Sequence, residues 1–126
     1  MSLELVEYKD CLQPFLIHHS NIKGKLVRLA DSVNTILGRH DYPPVVSHLL
    51  AELLVVATML STNLKGRGVL TIQLKGDGPV RFIVVDSTAK GVLRGYADID
   101  EEQRTVLEAL KPGEAPMPLT LGKGYI

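Results

Sequence analysis

The stretch DYPPVVSHLLAELLVVATMLSTNLKG, Asp41–Gly66, holds the sharpest punctuation and the longest helical signal in the chain. Pro44 suits the first turn of a helix, where its missing N–H has no partner to lose. From there apolar side chains recur at helical spacing: Val46, Leu49, Leu50, Leu53, Ala57, Leu60 and Leu64. The spacing predicts a helix running to about Leu64 and stopped by Lys65-Gly66. Projected at about 100° per residue, His48, Glu52, Val55 and Met59 fall on the side away from that stripe. A helix with one wet face is polar there throughout, so Val55 and Met59 predict cover on more than one face.

Downstream the period changes to two. Leu70, Ile72 and Leu74 alternate with Thr71, Gln73 and Lys75, the pattern of a half-buried strand. Gly76-Asp77-Gly78-Pro79 turns the chain, Arg81–Asp86 makes a second strand, and Val92–Ile99 a third after a turn over Ser87–Gly91. Three strands on short turns predict an antiparallel meander. Beyond it, Glu101–Leu110 is a short helix with Val106, Leu107 and Leu110 as its apolar side, and Pro112, Pro116 and Pro118 forbid regular structure. Upstream, Phe15–Ala30 reads as extended, with a bulge or bend at Gly24. Asp31 is the expected N-cap of a short helix over Ser32–Leu37 ended by Gly38. The fold class is therefore α+β, a mainly antiparallel sheet packed against a long central helix and a shorter helix.

Composition narrows the function. The 126 residues suggest a single domain, 1–126. With 45% hydrophobic residues and fourteen basic residues against fourteen acidic ones, disorder is excluded, and so is a strongly basic nucleic-acid surface. Cys11 alone supports neither an intramolecular disulfide nor a zinc site. No basic segment precedes an apolar core at the start, so no secretory signal is visible. The apolar run Leu49–Leu60 contains Glu52 and falls short of the roughly twenty residues of a membrane span. A soluble, cytoplasmic protein with neither nucleic acid nor membrane as partner is expected.

Catalytic patterns are thin. Lys65-Gly66-Arg67-Gly68 and Lys75-Gly76-Asp77-Gly78 are glycine clusters leading into strands, not the loop-to-helix arrangement that cradles phosphate. His18-His19 are neighbours whose side chains diverge on a strand, a poor arrangement for one metal ion. His48 and Glu52, one helical turn apart, form the single candidate acid–base pair; a structural pair at a packing surface is the plainer reading. No serine sits in a nucleophile elbow, and Cys11 reads as a passive thiol. No catalytic, cofactor-binding or metal residue is assigned.

Five blocks occur in order: Gly24-Lys25-Leu26-Val27; His40-Asp41-Tyr42-Pro43; Leu50-Ala51-Glu52-Leu53-Leu54 leading to Thr62-Asn63-Leu64-Lys65; Leu74-Lys75-Gly76-Asp77-Gly78-Pro79; and Arg94-Gly95-Tyr96-Ala97. Together they make Asp10–Asp98 resemble the N-terminal core domain of the 33-kilodalton heat-shock protein family, redox-regulated holdase chaperones. Leu121–Ile126 is similar to a family segment that enters another core strand. The resemblance implies a dimeric, ATP-independent chaperone that binds unfolding client polypeptides during oxidative or heat stress. It also implies a C-terminal switch domain whose Cys-x-Cys and Cys-x-x-Cys pairs hold zinc. Cys11 matches none of those cysteines, so zinc is expected only in that other domain and no cofactor in this chain. The client-binding residues stay unknown. A small enzyme using Glu52 and His48, and a structural interaction module, are the alternatives.

The family pattern continues past this sequence, which reads as the first part of the core domain, either a cut piece or a shortened relative. An open sheet edge and a partly uncovered helix are the expected consequence. Val55 and Met59 are then the candidate self-association face.

Overall fold

The computed structural model describes residues 9–112 and 124–125. Along the chain come β1 (Cys11–Leu16), β2 (Lys23–Arg28), α1 (Asp31–Leu37), α2 (Pro44–Ser61), β3 (Val69–Gly76), β4 (Val80–Thr88) and β5 (Leu93–Ile99). A 3-10 turn at Glu101–Gln103 leads into α3 (Arg104–Glu108), and β6 (Gly124–Tyr125) closes the order. The fold is α+β: a two-stranded antiparallel hairpin, and a four-stranded antiparallel sheet of order β5-β4-β3-β6 packed against α2.

The central helix begins as its prolines dictate. Pro43 is extended at the N-cap, and Pro44 occupies the first turn. It stops at Ser61 rather than Leu64. Ser61 and Thr62 hydroxyls donate to the carbonyls of Thr58 (2.9 Å) and Met59 (2.7 Å), so side chains take over bonds that another turn would have made. The buried face is also rotated from the expected stripe. Val46, Leu50, Leu54 and Ala57 are fully buried, whereas Leu60 is exposed. Between residues 49 and 60 nearly every position is apolar, so periodicity alone does not choose which flank meets the sheet. By length and mean hydropathy (1.7) this helix matches a membrane span. Its packing on the sheet through four fully buried positions is that of a core helix.

The meander is as expected, with Ile72 opposite Val85 and Val84 opposite Tyr96, except that β4 runs on through Ser87 and Thr88, which were expected in the turn. A register shift between Val80 and Phe82 lets Val80, Ile83 and Val85 all reach the core. Gly124 and Tyr125 pair with Gly76 and Lys75, giving the sheet a fourth strand where the similar family segment was expected to enter one. The prolines at 116 and 118 and the segment 121–123 lie outside the described residues.

Three local expectations are corrected. Phe15–Ala30 is not one extended segment, because its first part belongs to β1, residues 17–22 turn, and β2 pairs back from Lys23. Pro14 hides β1 in the sequence, yet a two-stranded ribbon has only edge strands, where proline is tolerated. Gly24 marks no bulge either. It sits in continuous register opposite Phe15, and a Cβ there would lie 2.1 Å from the ring, so glycine admits a cross-strand aromatic.

Asp31 does not cap α1 but is its first residue, with Ala30 at the N-cap. The cap comes from Asp10, whose carboxylate accepts the N–H of Ala30 (2.6 Å), the N–H of Ser32 (3.1 Å) and the Ser32 hydroxyl. Finally, the 3-10 turn interrupts the expected Glu101–Leu110 helix and resets its face. Leu107 is fully buried and Leu110 packs on the core, but Val106 is exposed.

Candidate functional site

Apolar exposure concentrates on the hairpin. The turn and strands leave Phe15, Leu16, Ile17, Ile22 and Leu26 about half exposed or more, Leu16 reaching 62%. Strand alternation puts Phe15, Gly24 and Leu26 on one face, while Leu12, Lys25 and Val27 share the other, more covered one. From that second face the Lys25 ammonium donates to Thr62 Oγ1 and to Asn63 Oδ1 (3.2 Å), which fastens the hairpin to the end of α2. The cation also sits favourably against a helix C-terminus. Val56 and Leu60, one turn apart on α2, add exposed apolar surface. Scattered exposed apolar residues are ordinary, but here Phe15 and Leu26 share one face of the hairpin, Leu16 lies on the other, and Ile17 and Ile22 flank the turn, so the ribbon carries apolar surface on both sides of its tip.

Val55 and Met59 are half-buried rather than open. Val55 lines a groove of about 380 Å³ with Leu29, Val33, Ala51 and Val56, between α2 and the segment joining β2 to α1. His48 and Glu52 line the same groove, with His48 Nε2 2.5 Å from Glu52 Oε1. Their side chains are 44% and 61% exposed, so water screens the pair as it does other surface ion pairs. The structure therefore brings the two residues together in the open.

The histidine pair does not diverge along a strand as expected, because residues 18 and 19 lie in a turn. His18 and His19 sit in the hairpin turn with ring centroids 3.9 Å apart, His19 at a positive φ of 63°. Among the described residues no three His, Cys, Asp or Glu side chains come together to hold a metal, and Cys11 is exposed at the start of β1. Gly66, at φ 67°, serves the turn between α2 and β3.

Hydrogen bonding sets the notable titrations. The Ser32 hydroxyl holds the Asp10 carboxyl below its ordinary range; burial opposes it, and the backbone N–H groups of Ala30 and Ser32 lower it further. Burial raises the Tyr42 phenol, whose oxygen accepts the Ala97 N–H at 3.3 Å.

The hairpin patch was missed in the sequence because Pro14 concealed its first strand. The one signal was Phe15-Leu16-Ile17, three large apolar residues beside a histidine pair in a segment too polar to be core.

Comparison with known proteins shows the family. The family model described as Hsp33 protein matches residues 10–126. The 33 kDa chaperonin of Caulobacter vibrioides is 42% identical over 94 residues, covering 75% of this chain and 31% of that protein. Those of Proteus mirabilis and Shigella flexneri are 36% and 34% identical over 119 and 117 residues, with 92% and 93% of this chain covered. The chain spans 40% and 38% of those two relatives.

Proposed function

The chain belongs to the Hsp33 protein family, and we propose on that premise that it holds unfolding polypeptides without ATP, preventing their aggregation under oxidative or heat stress. The reading is one of binding, not catalysis. Its relatives carry the name 33 kDa chaperonin. The observation that carries it is the hairpin patch of Phe15, Leu16, Ile17, Ile22 and Leu26. Exposed apolar surface recognises exposed apolar surface with little sequence preference, which is the selectivity a holdase needs.

In this reading the zinc-binding redox switch belongs to the part of the relatives that the chain does not match. The protein works in the cytoplasm as a homodimer, and α2's outer side, with Val55 and Met59 beside Val56 and Leu60, is the self-association face. The exposed His48–Glu52 pair favours no enzymatic alternative.

Light scattering from a thermolabile enzyme heated with the protein tests the reading. Suppression of scattering at stoichiometric ratios supports it, and its loss in Phe15→Ser with Leu26→Ser assigns it to the hairpin. No suppression at stoichiometric excess overturns it for this chain.

A further inference from the structure

Away from these apolar surfaces, a cavity of about 200 Å³ opens where the segment before α2 meets β5 and α3. Three rings wall it. The His40 ring centroid lies 5.5 Å from that of Tyr42 and 5.3 Å from that of Tyr96, at interplanar angles of 48° and 72°. The bond from the Ala97 N–H to the Tyr42 hydroxyl holds one of these rings in place.

Charge around the cavity is one-sided. Among the described residues, Asp41, Asp98 and Glu101 line it against a single cation, Arg104, which leaves two formal negative charges in excess with His40 neutral. Arg104 is already engaged. It donates to Glu101 from Nε (2.7 Å) and Nη2 (3.0 Å) and to the Asp41 carbonyl from Nη1 (2.9 Å), with Glu108 at 3.6 Å. An anion would therefore meet surplus carboxylates and a guanidinium turned toward the protein. By contrast, the half-buried Asp98 side chain has no hydrogen-bond or ion-pair partner among the described residues.

The geometry points to this cavity as a binding site for the guanidinium of an arginine side chain presented by another polypeptide. Aromatic faces attract a cation placed over them, and a planar guanidinium stacks on a ring while its edge donates to a carboxylate. Both kinds of group are here: Tyr96 and Tyr42 as walls, Asp98 as the acceptor. The volume is below the roughly 300–1,000 Å³ of drug-sized pockets, a scale suited to one side-chain head. The site stands apart from the holdase reading, because its readout is local binding and not turbidity.

The test is an NMR titration of the whole chain with N-acetyl-arginine methylamide, with the glutamine derivative and guanidinium chloride at the same low concentrations alongside. Saturable shifts of the His40, Tyr42 and Tyr96 ring protons are expected with the arginine compound alone. Asp98→Asn, nearly isosteric, and Tyr96→Leu, which removes the ring, should each weaken that binding about tenfold. Shifts that do not saturate, or an Asp98→Asn titration matching the parent, overturn the site. Equal saturation by guanidinium chloride assigns it to a small free cation and overturns the polypeptide source.

Discussion

The Ser87 hydroxyl donates to the Ser61 hydroxyl across 2.9 Å at the buried contact between β4 and the last turn of α2, and the Ser61 hydroxyl in turn donates to the Thr58 carbonyl. Both serines are buried, so the chain of bonds satisfies two hydroxyls that have no access to water. Ser61→Ala strands the Ser87 donor and should cost about 1–3 kcal/mol, whereas Ser87→Ala leaves Ser61 bonded and should cost about 1 kcal/mol. The double variant should lose less than the sum, because the partners fall together. Urea unfolding of the three variants measures this.

Gly95 lies under the crossing of both helices with the sheet. A Cβ there would stand 3.3 Å from side-chain atoms of Ile36, Leu50 and Leu54 at once. Gly95→Ala should destabilise by about 1–3 kcal/mol, since three packed side chains must yield together. A thermal midpoint unchanged or raised would show that they yield freely.

Asp10 ties the start of β1 to the start of α1. Its folded carboxyl titrates below the ordinary value of about 3.9, first through the Ser32 hydroxyl. The stabilisation is thus complete above that ordinary value and disappears as pH falls through the lower folded one. Asp10→Ala should cost about 0.5–2 kcal/mol near neutrality. The gap to the parent should narrow as pH falls below the ordinary value and through the lower folded one, read from urea midpoints across the acid range.

How far these features were legible follows from the physics of each. Pro44, the alternation from Leu70 to Lys75 and the turn at Gly76–Pro79 are local signals, and the helix and meander they predict are present. The Asp10 cap is not local, since twenty positions separate donor and acceptor, so the nearer Asp31 took its place in the sequence reading. The His48–Glu52 pair was placed correctly by helical spacing, while its exposure depended on which flank of an all-apolar helix met the sheet. Leu54 and Leu60 exchanged roles for the same reason.

Self-association gives a further expected outcome. Sedimentation at micromolar concentration should show a dimer, and Val56→Asp with Leu60→Asp should return it to monomer while leaving the helix content unchanged. Both positions are exposed, so charge there does not disturb the core. A parent that sediments only as monomer rejects the assigned face.

The ring of Phe15 resting on Gly24 gives the proposed client surface a fixed element. Gly24→Ala must displace it, because the new Cβ would overlap the ring at 2.1 Å. Suppression of aggregation should change while global stability shifts by less than about 1 kcal/mol, as befits an exposed site. Paired light-scattering and unfolding measurements separate the two effects.

No side chain of β1 or β2 belongs to the buried cluster that joins α2 to the sheet. The ribbon's amide protons are then shielded mainly by its own cross-strand ladder, so they should trade with deuterium well before those of β4. Such a ribbon can come loose as a sub-global unit while the body stays native, and the patch it carries would gain reach without any unfolding elsewhere.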